Sequence, residues 1–323
     1  MFDIEIVEQA AFMYLHSLSF NGVSAIFRSW FEKDIFPKNI LLDHVEQPSE
    51  RLPNNLEITK WLKPIRSGYY ALDGTWMKYR GKDFVLLILF DVKTLDIIDY
   101  RIAKEETEQS YTELLKEVFD EINANSKGFF CDGDPGLLKA LQKLFPQTPI
   151  QLCVFHKYAR AGQVISFKHI KNDIDKKIKK KVEAILFATT KQEAVDNLKD
   201  LESYAQEHQK YAKLKKLIGV LKRNFELLLT HFDNPEMSPY NNTLEGFNYI
   251  VKRKTNLMKG FKKPVNIGRW IKLIMLEWRF HKLTESTFKE RKNKSPLELS
   301  SCNLPKIDNR MSYIRKNYPD SST

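Results

Sequence analysis

The hydrophobic and polar positions of this chain divide it into a helical opening, a strand-rich middle and a long helical remainder. Glu5 to His16 (EIVEQAAFMYLH) gathers Ala10, Ala11, Met13 and Tyr14 for packing, which predicts a helix. Ser17 to Asn21 interrupts it, and Val23 to Phe31 (VSAIFRSWF) resumes the helical pattern. Two short helices around a turn fit a DNA-reading helix-turn-helix, and they fit any small helical bundle equally well. The polar stretch Glu46 to Asn55 (EQPSERLPNN), with two prolines, reads as a linker.

From Ser67 the period changes. Tyr69 to Leu72, Phe84 to Phe90 and Leu95 to Ile102 read as strands, and the short Asp91–Thr94 turn joins the last two as an antiparallel hairpin. Glu105 to Asn123 is amphipathic, with Leu114, Leu115, Val118, Phe119 and Ile122 on one face. A strand at Gly128–Cys131, a helix at Pro135–Phe145 and a strand at Ile150–Phe155 follow, with Pro135 suited to a first helical turn. Three strands, helix, strand, helix, strand predicts an α/β protein. The order matches a ribonuclease H-like mixed sheet flanked by helices.

Beyond His156 the strands stop. Tyr158 to Leu229 is charged and helical, and its block IDKKIKKK (Ile174 to Lys181) is most simply a solvated helix face. HFDNPEMSPYNN is a loop broken by Pro235 and Pro239. A helix starts near Thr243, and another spans Val265 to Leu283 with Trp270, Ile274 and Trp278 as its apolar stripe. The expected organisation is a small all-α module and linker over 1–66, an α/β domain over 67–285 with a helical insertion at about 158–235, and a polar, loosely held tail over 286–323.

Composition narrows the partners. The 323 residues carry 52 basic against 41 acidic side chains, a net charge of +11 that favours a polyanion. The longest apolar run, Phe84 to Phe90, is far too short to span a bilayer, and the acidic N-terminus lacks the layout of a signal peptide. Three cysteines (Cys131, Cys153, Cys302) without paired spacing fit a reducing compartment. The expectation is a soluble cytoplasmic protein.

Against that basic background three acids stand out: Asp73 in YYALDGTW, Asp132 in GFFCDGDPGLLKAL and Glu245 in NNTLEGFNYIVKRK. Asp73 and Asp132 close apolar runs that read as neighbouring strands, and Glu245 opens a helix with a basic downstream face. Each has a structural reading as well. Asp73 can shape a turn before Gly74, Asp132 and Asp134 can both shape a turn or cap a helix, and Glu245 can complete a capping box with Asn242. Together, three convergent carboxylates suit two hard divalent ions, the arrangement that assists phosphodiester cleavage. On a helix from Thr243, Tyr249 and Lys252 share the face of Glu245, so Lys252 and Arg253 can hold phosphates. Cys153 and His156 lack the second pair that a zinc site requires. Cys153 instead packs behind its strand, and His156 at the strand end contacts DNA or orients a catalytic acid.

The segments LDGTWMKYRGK, CDGDPGLLKAL with QLCVFHK, and NNTLEGFNYIVKRK resemble those of Mutator-like DDE transposases of insertion sequences. Cys153 to His156 resembles that family's C-x-x-H element, and the 113 residues from Asp132 to Glu245 suit its helical insertion. The resemblance covers about 67–285. It implies a ribonuclease H-like catalytic domain with Asp73, Asp132 and Glu245 as catalytic metal ligands for two Mg²⁺ (or Mn²⁺) ions. It further implies binding to the terminal inverted repeats of an element and to target DNA, a homodimer or larger assembly on DNA, and a prokaryotic, nucleoid-associated protein. A domesticated, catalytically silent DNA-binding protein and a structure-selective nuclease on the same fold are the other readings.

Overall fold

A computed structural model describes residues 4–31, 48–122, 124–170, 172–257, 264–307 and 309–319. The chain divides into two compact units. One comprises Met1–Gly68, Asp73–Asn125 and Thr243–Thr323; the other comprises Tyr69–Leu72 and Ser126–Asn242.

Strands β1 (Tyr69–Tyr79), β2 (Lys82–Asp91), β3 (Ile97–Ala103), β4 (Gly128–Cys131) and β5 (Ile150–Leu152) build a five-stranded mixed sheet in the order β3-β2-β1-β4-β5. The expected hairpin is present, with β2 and β3 antiparallel from Val85 opposite Ala103 to Phe90 opposite Ile97. Its turn is held by Asp91, whose carboxylate accepts from the Ser67, Lys93 and Thr94 amides. β4 runs parallel both to β5 and to the start of β1, where Tyr69 lies opposite Gly128 and Ala71 opposite Phe130.

β1 is longer than the sequence reading, which ends it at Leu72. Past Asp73, Thr75 and Met77 are buried while Trp76 and Lys78 are exposed, the two-residue alternation of a half-buried strand. Gly74 lies within that strand, and the Glu106 carboxylate packs where a Cβ would be. Asp73 therefore sits inside a strand, and its reading as a turn residue is corrected.

In the first unit, helices α1 (Ile4–Leu15), α2 (Phe20–Phe31), α3 (Pro48–Arg51) and α4 (Asn55–Leu62) precede the strands, and α5 (Glu108–Ile122) packs on β3. The linker reading needs correction where it can be seen; Glu46 and Gln47 lie outside the described residues. Pro48 and Ser49 are buried in α3, and Asn54 and Glu57 close a capping box that starts α4.

The second unit adds α6 (Pro135–Leu144), α7 (Val154–Val164), α8 (Asp173–Leu186), α9 (Lys191–Glu207), α10 (Lys213–Lys222), α11 (Phe225–Leu228) and α12 (Thr230–Asp233). In α8, Ile178, Val182 and Ile185 are buried while Lys176, Lys177 and Lys180 are exposed, so the lysine block is a solvated face. β5 stops at Leu152, short of the expected Phe155. Cys153 occupies the N-cap position of α7, which places His156 in a helix rather than at a strand end.

The first unit is completed by α13 (Asn242–Leu257), α14 (Pro264–Phe280), α15 (Pro296–Leu299) and α16 (Arg310–Asn317). The segment read as a loose tail is held down: Leu297, Met311 and Ile314 are buried, and a Ser295–Glu298 capping box starts α15. Arg279 is fully buried and donates to both Asp96 oxygens at 2.9 and 3.0 Å and to the Asn55 carbonyl at 2.7 Å. Arg66 adds a 2.6 Å bond to the same carboxylate. No helix among the described residues is long and apolar enough to cross a membrane.

Candidate acidic centre

In the first unit the decisive element is α13. Leu244, Phe247 and Val251 are fully buried at three- and four-residue spacing, the stripe that docks a helix. Phe247 lies against Phe90 of β2, with ring centroids 6.0 Å apart, and against Trp278 of α14 at 5.0 Å. With that face fixed, Asn248 reaches β1: its Nδ2 donates to Asp73 Oδ2 at 2.7 Å. Asp73 Oδ1 accepts from the Gly74 amide at 2.9 Å. Glu245 stands one turn before Asn248 on the same helix and is half-buried. The first unit thus brings Asp73 and the helix of Glu245 together, although 175 residues separate Asp73 from Asn248.

Asn248 Oδ1 is buried with no hydrogen-bond partner among the described residues, and Thr75 Oγ1, two residues along β1 from Asp73, is in the same condition. Unsatisfied oxygens in an otherwise dry place carry a cost unless a cation or water meets them. Oxygen donors alone suit Mg²⁺ or Mn²⁺ and disfavour softer metals. The residues fit such an ion.

Lys252 and Arg253 are exposed on α13, as phosphate contacts require. Lys254 is not: burial pulls its ammonium below the usual lysine range, and it donates to the Leu15 carbonyl at the end of α1.

In the second unit Asp132 follows β4 directly and is half-buried. Its Oδ1 accepts from the Asp134 amide at 2.9 Å, and its Oδ2 accepts from Arg160 Nη2 at 2.8 Å. Between them Gly133 has φ 89°, a left-handed conformation that favours glycine. Asp134 is committed elsewhere: it is the N-cap of α6, accepting from the Leu137 amide at 3.0 Å, with Pro135 in the first turn. The division of labour between the two aspartates is therefore visible.

Arg160 lies four residues after His156 on α7. Lys157, in the same helix, is buried and donates to the carbonyls of Val220 and Arg223 at 3.0 and 2.6 Å. Burial, with Arg160 and Arg223 nearby, pulls its ammonium down to about 8. Cys153 is buried at the head of α7, and its amide donates to the Cys131 carbonyl at 2.9 Å, which ties the helix start to β4. His156 is half-buried in the first turn of α7.

Asn248 and Arg160 were not singled out by the sequence. Their one signal is spacing: Asn248 stands three residues after Glu245, and Arg160 four after His156, each on the face of a residue already under suspicion.

The family profile described as "Transposase, Mutator family" matches residues 5–282 of the chain. The chain belongs to the Mutator family of transposases. A curated relative, the transposase for insertion sequence element IS1201 of Lactobacillus helveticus, is 27% identical over 214 residues. That match takes in 62% of this chain and 54% of the relative, so the chain spans about half the length of the curated transposase it matches. Among solved structures, the HTLV-2 integrase catalytic core domain in complex with magnesium (trimeric form) aligns at 13% identity and a TM-score of 0.24. The alignment covers 50% of this chain and 88% of that one.

Proposed function

We propose that this transposase binds the ends of its element and catalyses divalent-metal-dependent DNA cleavage followed by strand transfer, on a ribonuclease H-like catalytic domain. The observation that carries the proposal is the Asn248–Asp73 bond, which anchors the helix of Glu245 to the strand of Asp73. Asp132 enters the proposal as the acid that directly follows β4, with its carboxylate held by the Asp134 amide and Arg160.

In this reading Asp73, Asp132 and Glu245 hold two Mg²⁺ or Mn²⁺ ions. When bound, such ions orient and activate the attacking oxygen and offset charge on the leaving one. Asn248 fixes the rotamer of Asp73 so that its carboxylate is already aimed. Arg160 orients the Asp132 carboxylate through its bond to Oδ2. Lys252 and Arg253 hold backbone phosphates and fix the register of the strand without reading its sequence. Cys153 acts through packing at the head of α7, and His156 supports a catalytic acid or contacts DNA. Water serves as the first nucleophile and the freed 3′-hydroxyl as the second. Pairing of two DNA ends calls for a dimer or larger assembly on DNA, with element ends and target both double-stranded, in the nucleoid of a prokaryotic cell.

Glu245→Gln keeps the shape of the side chain and removes its charge. It is expected to abolish Mg²⁺-dependent cleavage and strand transfer on terminal-repeat DNA while leaving gel-shift binding intact. Wild-type strand transfer by this variant would overturn the assignment.

A further inference from the structure

Away from the acids, the first unit contains a cavity of about 270 Å³ bordered by His16, Phe247, Lys254, Glu277, Trp278 and His281. His16 directly follows α1, while Glu277 and His281 are one turn apart at the end of α14, so residues from opposite ends of the chain meet here. His16 Nε2 lies 3.0 Å from Glu277 Oε1, and His281 Nδ1 lies 3.8 Å from the same oxygen. One donor atom from each of the three residues falls within 4.8 Å of the others.

These separations match a coordination shell. A tetrahedral ion bonded at about 2.0–2.2 Å to imidazole nitrogen and carboxylate oxygen holds its donor atoms roughly 3.3–3.5 Å apart. The observed 3.0 and 3.8 Å bracket that value, and the donor atoms of the two histidines lie within 4.8 Å of each other.

A second observation points the same way. The Glu277 side chain is only 5% exposed, and its Oε2 is buried with no hydrogen-bond partner among the described residues. Arg310 donates to Oε1 at 2.6 Å, which orients the carboxylate and leaves Oε2 as the oxygen open to an ion. The neighbouring Lys254 ammonium donates to the Leu15 carbonyl.

We propose that His16, Glu277 and His281 form a binding site for a borderline first-row divalent cation of the zinc class, with the cavity supplying room for water at a fourth position. Imidazole nitrogens set it apart from a site of carboxylates alone, which suits harder ions. Such an ion would clasp the end of α1 to α14 and add to the stability of the first unit.

The test is a Co²⁺ titration of the chelator-treated full chain in excess Mg²⁺, which saturates oxygen sites. The expected result is one equivalent of Co²⁺ giving the visible bands of a four- or five-coordinate ion, displaced by Zn²⁺. His16→Ala and His281→Ala are each expected to weaken binding by more than about tenfold. Zn²⁺ is also expected to raise the Tm of the wild type and not of the double variant. Absence of the bands in the wild type overturns the proposal, whatever the variants do, as does Co²⁺ binding that survives the loss of both histidines. Stabilisation by inorganic phosphate instead of Zn²⁺ would reassign the cavity to an anion held by Arg253, Lys254 and Arg310, and so overturns it too. None of these readouts uses DNA, so the acidic-centre reading stands or falls separately.

Discussion

Asp73 and Asp132 are chemically the same side chain in half-buried positions, yet their surroundings are assembled in opposite ways. Asp73 is held by an amide side chain that arrives from 175 residues away, on a helix that reaches it only because Leu244, Phe247 and Val251 are buried. Asp132 is held by its own loop, through the Asp134 amide, and by a guanidinium from the next helix but one. One aspartate depends on long-range packing and a neutral donor. The other depends on local geometry and a positive charge that competes with any metal for the same oxygen. Identical side chains can therefore respond in opposite directions when their supports are removed.

The largest effect should come from removing the packing behind Asp73. Phe247→Ala deletes a fully buried ring between Phe90 and Trp278 and is expected to cost about 3–5 kcal/mol in urea denaturation. Asn248→Ala is gentler. Cutting the tie to Asp73 while the helix stays docked should lower metal-dependent cleavage roughly 10–100-fold, with an unchanged circular dichroism spectrum. An unaltered rate would mean that Asp73 needs no such support.

Arg160→Gln sharpens the contrast, because it should tighten rather than loosen the site. With the competing cation gone from Asp132 Oδ2, Mn²⁺ binding followed by paramagnetic resonance is expected to strengthen several-fold. If Arg160 also meets DNA, the slope of log affinity against log salt should fall by about one. Weaker Mn²⁺ binding in this variant would reverse the role assigned to the arginine.

Asp99 on β3 offers a third kind of acid, governed by burial more than by partners. Desolvation raises its carboxyl to about 7 from 3.8. The native state then keeps a proton that the unfolded chain releases, so this group lowers stability as pH rises from about 4 to about 7. Asp99→Asn should remove that slope and leave the protein more stable at pH 8 by on the order of 1–2 kcal/mol, measured by thermal melts across pH. A variant with an unchanged pH profile would place Asp99 in a wetter setting.

Much of this organisation could be read from the residues alone. Apolar runs placed the strands in order, whereas CDGDPG left Asp132 and Asp134 both open as turn or cap residues until the fold made Asp134 the cap. The misreadings have physical causes. The D-G pair after Leu72 carries a turn signal, and it outweighed the alternation Thr75, Trp76, Met77, Lys78 that extends β1. Val154 and Phe155 prolonged an apolar run into a helix whose buried face includes a lysine, Lys157, and so broke the expected period. The S-P-L-E cap that anchors the C-terminal segment was present but unweighed against its polar surroundings. Asn248, Arg160 and the His16–Glu277–His281 cluster were invisible for a different reason. Their meaning lies in who they face, and facing is settled only by the folded backbone.

The distance in sequence between Asp73 and Asn248 has a consequence in time. A ribosome adding about 5–20 residues per second needs roughly 10–35 seconds to make the 175 residues that separate them. Throughout that interval the nascent chain carries its first aspartate without the helix that steadies it. A product terminated before Asn248 would keep Asp73 and Asp132 and lack the side chain that holds Asp73.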